Sequence, residues 1–105
     1  MQQFSVYKNK NTNTRKEYPY LLNIQSDFLD ELKTVVVIPL IKQTTFKQTP
    51  IKYLMPVFTI EGKECVLLTP QIAGIPKNQL GSLVEDLAHF RSEIISAIDF
   101  VISGI

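Results

Sequence analysis

Residues 83–105 have the sequence LVEDLAHFRSEIISAIDFVISGI, and the organisation of the whole chain depends on this stretch. Apolar side chains recur in it every three or four residues, as they do on one face of an α-helix. They are Leu83, Leu87, Phe90, Ile94, Ile98 and Val101. The spacing predicts an amphipathic C-terminal helix. Ser82 and Glu85 form a capping-box pattern at its start, with a later start near Asp86 or Ala88 as the alternative.

The end of this predicted helix is unusually apolar. From Ala97 onward nearly every residue is hydrophobic, including Phe100, Val101, Ile102 and Ile105. Because fully burying one such side chain contributes roughly 1.5–3 kcal/mol, leaving all of them in water would be costly. They either pack within their own domain or lie at an interface with another protein. The pattern favours the interface.

The charge at this end of the helix leads to a related hypothesis. The last basic residue is Arg91, whereas Asp99 and the terminal carboxylate add negative charge where the helix dipole is already negative. One explanation is that solvent and salt screen these charges at little cost. The other is that a basic partner completes the helix end. In that case removing both charges weakens binding of the partner more than it changes stability.

Length and composition indicate one small globular domain that comprises residues 1–105. The net charge of +1 gives no electrostatic sign of nucleic-acid binding by this chain alone. The single cysteine, Cys65, excludes an internal disulfide and suits a reducing compartment. No apolar run reaches membrane-spanning length, and the N-terminus lacks a signal-peptide pattern. We therefore expect a cytoplasmic protein with no membrane partner.

The remainder of the chain has the pattern of short β-strands joined by polar turns. The strongest signal is the β-branched run at residues 34–41, which predicts a central strand. Within it, Pro39 is expected at an edge position, a bulge or the strand end. Residues 61–63 are predicted to form a tight hairpin turn. Several strands followed by one helix predict a mainly β fold, a small curved sheet or open barrel with the helix laid across it.

The turn after the second predicted strand carries two adjacent apolar residues, Phe28 and Leu29, between two aspartates. Ser26 or Asp27 is the candidate cap of this turn. Either one of the apolar pair packs inward, or both form an apolar knob on the surface. Taken alone, the residues favour ordinary loop anchoring.

No group of residues in the sequence suggests an active site. His89 is the only histidine, which excludes a multi-histidine metal site, and its pairing with Cys65 as base and nucleophile is improbable. Cys65 is interpreted as a small buried hydrophobic residue, and His89 as a surface or capping residue. We therefore predict no catalytic residue, no metal and no cofactor, and a protein that acts by binding.

Several short motifs occur in the same order as in a known family. They are Gln3-Phe4 with Val6-Tyr7, Ile24-Gln25-Ser26-Asp27, Val36-Val37-Ile38-Pro39-Leu40, Tyr53-Leu54-Met55-Pro56-Val57, Ile75-Pro76, Asp86-Leu87 with His89, Ile94, Ala97-Ile98 and Gly104-Ile105. In this ordered set the sequence resembles the CcdB family, the toxins of the Ccd toxin–antitoxin pair. The resemblance runs from end to end, with a slightly longer first hairpin loop around residues 11–17.

The resemblance implies an SH3-like β-barrel of the CcdB and MazF type with a long C-terminal helix, assembled as a homodimer. It also implies a toxin that is not an enzyme. Such a toxin binds the A subunit of DNA gyrase and traps gyrase on cleaved DNA. The antitoxin CcdA would neutralise it. The pair would repress its own operon, so that operator DNA is reached only through the antitoxin complex.

The resemblance further implies which residues make these contacts. The gyrase-binding residues would be Phe28, Leu29, Asp99, Ile102, Ser103, Gly104 and Ile105. Phe100 and Val101 would lie at the dimer interface. Ile102 and Ser103 stand where the best-known member of the family has an aromatic pair. A stacking contact of the type common at binding hot spots is therefore missing from this chain.

Two other functions stay open at this point. Because Ser103 replaces an aromatic residue, the chain could be an SH3-like module that binds a peptide through its barrel face and has lost toxicity. A MazF-like ribonuclease is the other alternative. It would need basic and acid–base residues that converge on the barrel face, and the near-neutral charge and the lone His89 argue against it.

Overall fold

The computed structural model describes residues 2–104, which form a curved antiparallel sheet and a C-terminal helix. The strands are β1 (Ser5–Asn9), β2 (Tyr20–Asn23), β3 (Thr34–Lys42), β4 (Val57–Ile60), β5 (Lys63–Leu67), β6 (Ala73–Pro76) and β7 (Leu80–Asp86), and the helix is α1 (Arg91–Ser103). The strands pair in the order β4-β5-β3-β2-β1-β7, and β6 pairs with β3. The predicted mainly β fold with one C-terminal helix is confirmed, and the sheet forms a half-barrel.

The third strand is central, as predicted, because it pairs with β2, β5 and β6. Pro39 lies inside this strand, and the expectation of an edge, a bulge or a strand end is wrong. The carbonyl of Pro39 accepts a hydrogen bond from the Leu68 N–H at 2.9 Å, so its backbone faces the side of β5 and β6. Pairing with β6 ends at Val37 and pairing with β5 begins at Leu40. The N–H that proline lacks therefore falls in the gap between two partner strands.

The main core lies between one face of the sheet and α1. Its buried members are Phe4, Val6, Tyr20, Leu22, Ile38, Leu40, Phe58, Ile60, Cys65, Leu67, Leu87 and Ile94. Because successive strand residues point to opposite faces, Tyr7 and Leu21 belong to a second cluster on the other face of the sheet, with Val35 and Val37. Ile94 and Ala97 are the buried residues of the helix, and they form the face that packs against the sheet.

The first residues of the predicted helix are in a strand. Leu80–Asp86 pairs with β1, so Ser82 and Glu85 are strand residues and do not form a capping box. A 3-10 turn begins at Ala88, near the later of the two predicted starts, and α1 begins only at Arg91. The pairing has a physical reason: without β7, strand β1 would expose one row of backbone groups.

The predicted hairpin turn lies between β4 and β5. Glu61 and Gly62 have φ angles of 50° and 76°, the left-handed values that a two-residue hairpin of this hand requires. This turn also provides a partly buried polar contact, because the Tyr20 hydroxyl donates to Glu61 Oε1 at 2.5 Å. Burial of the phenol and its bond to the Glu61 carboxylate raise the pKa of Tyr20 above its ordinary value.

Candidate functional site

The apolar knob, which we define as Asp27–Leu29, stands on the surface between β2 and β3. It is a single 3-10 turn, and the Phe28 side chain is 98% exposed and that of Leu29 48% exposed. Neither residue packs inward, so the interpretation as loop anchors is wrong and the surface knob is what the fold forms. Such exposure of a phenylalanine is informative, because large apolar residues seldom stay in water without a partner.

Side-chain hydrogen bonds fix the knob at its start. Ser26 Oγ accepts from the Phe28 N–H at 3.2 Å, which confirms Ser26 as the cap. Asp27 Oδ1 accepts from the Gln3 N–H at 3.0 Å and so ties the turn to the segment before β1. Phe28 therefore projects from a turn whose first residues are held in place.

A buried amide, Gln25, closes the loop behind the knob. Its Nε2 donates to the carbonyls of Leu29 at 3.2 Å and Thr34 at 3.1 Å, and its Oε1 accepts from the Val36 N–H at 3.2 Å. These bonds join the end of the knob to the start of β3. Gln25 belongs to one of the motifs that carry the family resemblance, but the sequence did not predict this role, because a glutamine in a polar turn has no local pattern that marks it as buried.

An ion pair supports the far side of the same loop. Lys77 Nζ lies 3.7 Å from Asp30 Oδ1 and also donates to the Asp30 carbonyl. The pair is partly exposed, so it contributes little to stability. Its effect is to connect the loop after the knob to the segment between β6 and β7.

The second candidate surface is the end of α1. Exposure rises along its last turn, from 36% at Phe100 and 38% at Val101 to 78% at Ile102. Gly104 ends the helix in the left-handed conformation with φ of 74°, and its N–H donates to the Phe100 carbonyl at 2.9 Å. The apolar helix end predicted from the sequence is therefore present and lies in contact with water.

The polar groups of this helix end are exposed as well. Ser103 Oγ donates to the Asp99 carbonyl at 2.8 Å, so its hydroxyl bonds within the helix. The last turn holds no basic residue, which leaves the Asp99 carboxylate at the negative end of the helix dipole. Ile105, predicted as part of this surface, lies outside the described residues.

The side chains considered for chemistry lie apart from these two surfaces. Cys65 is buried in the main core, and burial raises the pKa of its thiol. His89 is exposed, with its ring centroid 4.1 Å from that of Phe90. Among residues 2–104, no three His, Cys, Asp or Glu side chains come together as a metal site. No helix in that range is long and apolar enough to span a membrane.

The fold is similar to those of several solved toxins and nucleases. The toxin MazF-mt6 of Mycobacterium tuberculosis superimposes with a TM-score of 0.74 at 14% identity, over 93% of this chain and 95% of that chain. An endoribonuclease from a mycobacterial species gives 0.72 at 13% identity, over 97% and 90%. A mycobacterial endoribonuclease in complex with its cognate antitoxin gives 0.71 at 14% identity, over 97% and 94%. At these identities the likeness concerns the fold alone.

The sequence itself matches the family model described as CcdB protein over residues 3–104. This match covers essentially the whole chain and agrees with the resemblance carried by the ordered motifs. The chain therefore belongs to the CcdB family, the toxins of toxin–antitoxin systems.

Proposed function

We propose that this protein is the toxin of a type II toxin–antitoxin system, that it binds the A subunit of DNA gyrase, and that it traps gyrase on cleaved DNA. The observation that carries the proposal is the near-complete exposure of Phe28 on a turn that side-chain hydrogen bonds hold in place. A pre-ordered apolar anchor of this kind is typical of a protein-binding hot spot, because little entropy is lost on binding. Such a toxin acts in the cytoplasm, where gyrase acts on DNA.

The proposed gyrase-binding surface combines the knob with the helix end. Its members are Phe28, Leu29, Asp99, Ile102, Ser103, Gly104 and Ile105. The exposed Ile102 offers an apolar contact, and the Asp99 carboxylate favours a basic residue on gyrase. Because Ser103 replaces an aromatic residue of the family, the proposed contact depends more on Phe28 and on charge than on stacking.

We propose that a second copy of the chain covers Phe100 and Val101. Phe100 and Val101 are each only about one-third exposed, in contrast to Ile102. A homodimer with its two helices close to the symmetry axis would cover both of them and leave Ile102 available to gyrase. This arrangement accounts for an apolar helix end without assigning every residue to gyrase.

The remaining proposed partner is an antitoxin of the CcdA type. The family supports it, and so does the likeness to a toxin-fold endoribonuclease solved with its cognate antitoxin. We propose that this antitoxin releases gyrase from the toxin and that the complex of the two represses the operon. The toxin itself has a near-neutral charge, so contact with operator DNA is assigned to the complex.

A gyrase cleavage assay tests the proposal. Purified protein, gyrase, ATP and supercoiled DNA are incubated, and the reaction is stopped with denaturant and protease. We expect linear DNA that appears with the protein and disappears when its antitoxin is added. A variant truncated before Ser103 tests the helix end and is expected to give less linear DNA. If neither linear DNA nor gyrase binding is detected, the proposal is wrong and a non-toxic interaction module is the better description.

A second candidate function is RNA cleavage, which the likeness to mycobacterial endoribonucleases favours. It predicts that total RNA is degraded after induction and that purified protein cleaves a single-stranded RNA without gyrase. The same induction experiment therefore separates the two candidates. Broken DNA with intact RNA supports gyrase poisoning, and intact DNA with cleaved RNA supports the nuclease.

A further inference from the structure

The fourth strand has an unpaired edge. In the antiparallel ladder between β4 and β5, the Leu67 N–H donates to the Pro56 carbonyl at 2.9 Å, and Phe58 lies opposite Cys65. Along β4, residues whose N–H and C=O groups point toward β5 therefore alternate with residues whose N–H and C=O groups point away from it. The N–H and C=O groups of Val57 and Thr59 face away from β5. Within residues 2–104 no strand pairs with them.

A groove runs beside this edge, between β4 and the start of α1. It consists of two cavities, of about 560 Å³ and about 290 Å³, and both are lined by Val57 and Glu93. We call it the β4 groove. The larger cavity has a mainly apolar wall that includes Pro50, Tyr53, Met55 and Pro56. The smaller one is lined by Phe58, Leu87 and Phe90 together with polar residues.

Tyr53 lines the larger cavity. Its φ angle of 70° is a left-handed value that costs a residue with a side chain on the order of 1–3 kcal/mol. The ring is nevertheless largely exposed, and Lys52 Nζ lies 5.1 Å from its centroid. A strained backbone that presents an aromatic ring to solvent is unusual for a loop whose role is only to connect strands, and it is a feature of ligand clamps.

The charges along the groove are not evenly distributed. Of the residues that the structure describes, two carboxylates, Glu85 and Glu93, line the smaller cavity together with His89, but no lysine or arginine does. In the same part of the chain, Lys52 is the only basic residue that lines the larger cavity. A ligand that lies along the whole groove therefore meets negative charge beside Thr59.

From these features we infer that the β4 groove binds an extended peptide segment of a partner protein. The segment adds to the sheet as a strand and exchanges hydrogen bonds with the outward-facing backbone groups of Val57 and Thr59. It places an apolar side chain in the larger cavity and a lysine or arginine between Glu85 and Glu93. The groove borders the first turns of α1, whereas the proposed gyrase-binding residues of the helix begin at Asp99, so this surface is additional to the proposed toxin function.

A library experiment with one matched pair of variants tests this inference. Thr59→Pro removes an outward-facing N–H without removing a bond to β5, while Thr59→Val keeps the N–H and loses the same hydroxyl. Phage that display random ten-residue peptides are selected on the wild-type protein alone, so that the selection does not itself impose a preference against Thr59→Pro. Thermal unfolding and far-ultraviolet circular dichroism establish that both variants are folded. Affinities of the selected peptides are then measured by fluorescence anisotropy.

The expected result is enrichment of peptides with alternating apolar residues and one lysine or arginine. Thr59→Pro should lower the affinity for the peptide by a factor of up to about ten, because one backbone hydrogen bond contributes up to about that much. Thr59→Val should leave the affinity unchanged. Glu93→Gln should weaken binding severalfold and reduce its salt dependence. The inference is overturned if no peptide is enriched or if both Thr59 variants bind equally. It is also overturned if Thr59→Pro turns a dimer into a monomer in light scattering, because the occupant is then a second copy.

Discussion

Replacing Phe28 with alanine separates binding from stability more cleanly than any other change in this molecule. The ring is 98% exposed, so the folded state loses almost no contact, and we expect the free energy of unfolding to change by less than about 0.5 kcal/mol. If gyrase buries the ring, the variant loses the transfer free energy of one phenylalanine, roughly 2–3 kcal/mol. That corresponds to a dissociation constant for gyrase A roughly 30–150 times higher.

Isothermal titration calorimetry with the gyrase A subunit measures this loss directly, and the DNA cleavage assay should show a parallel loss of linear product. Tyr53→Ala is the control, because Tyr53 is an exposed aromatic residue on a different loop. It should leave gyrase affinity within about twofold of the wild type. Equal effects of the two variants, or a destabilised Phe28→Ala protein, would refute the reasoning that assigns the knob to gyrase.

Three further predictions concern stability. Gln25→Ala removes three hydrogen bonds behind the knob and should lower the free energy of unfolding by about 2–4 kcal/mol in urea titrations. Ile94→Ala should cost about 2–5 kcal/mol in the same titrations, whereas Ile102→Ala at the exposed helix end should change stability by less than about 0.5 kcal/mol. The pKa of Tyr20 is raised in the folded state, so wild-type stability should fall as the pH rises above about 10, and Tyr20→Phe should lose less over that range.

The general fold was predictable from the sequence because its strongest patterns are local. The β-branched run of β3, the Glu61-Gly62 turn and the part of the apolar stripe that includes Ile94 each determine one element with little help from the rest of the chain. The exposed helix end was predictable for the same reason. A terminus with too many apolar residues for its own domain is visible in composition alone.

Non-local pairing decided the elements that could not be predicted. Leu83 and Val84 fit a helical stripe and a strand equally well, and the choice is made by β1, which is distant in the sequence and needs a second neighbour. Pro39 is accommodated centrally only because two partner strands leave a gap beside it. Gln25 is held by hydrogen bonds to residues 29, 34 and 36, and the residue pattern of the turn does not indicate these distant partners.

The pairing of β1 with β7 also has a consequence for protein synthesis. The ribosome makes Ser5–Asn9 well before Leu80–Asp86, yet the two strands are direct neighbours. A nascent chain that stalls before residue 80 therefore leaves β1 without one neighbour and the main core without Leu87 and Ile94. Such a chain also lacks the helix end. Such incomplete chains therefore expose apolar surface that the finished fold buries, and they lack the helix-end residues of the surface proposed for gyrase.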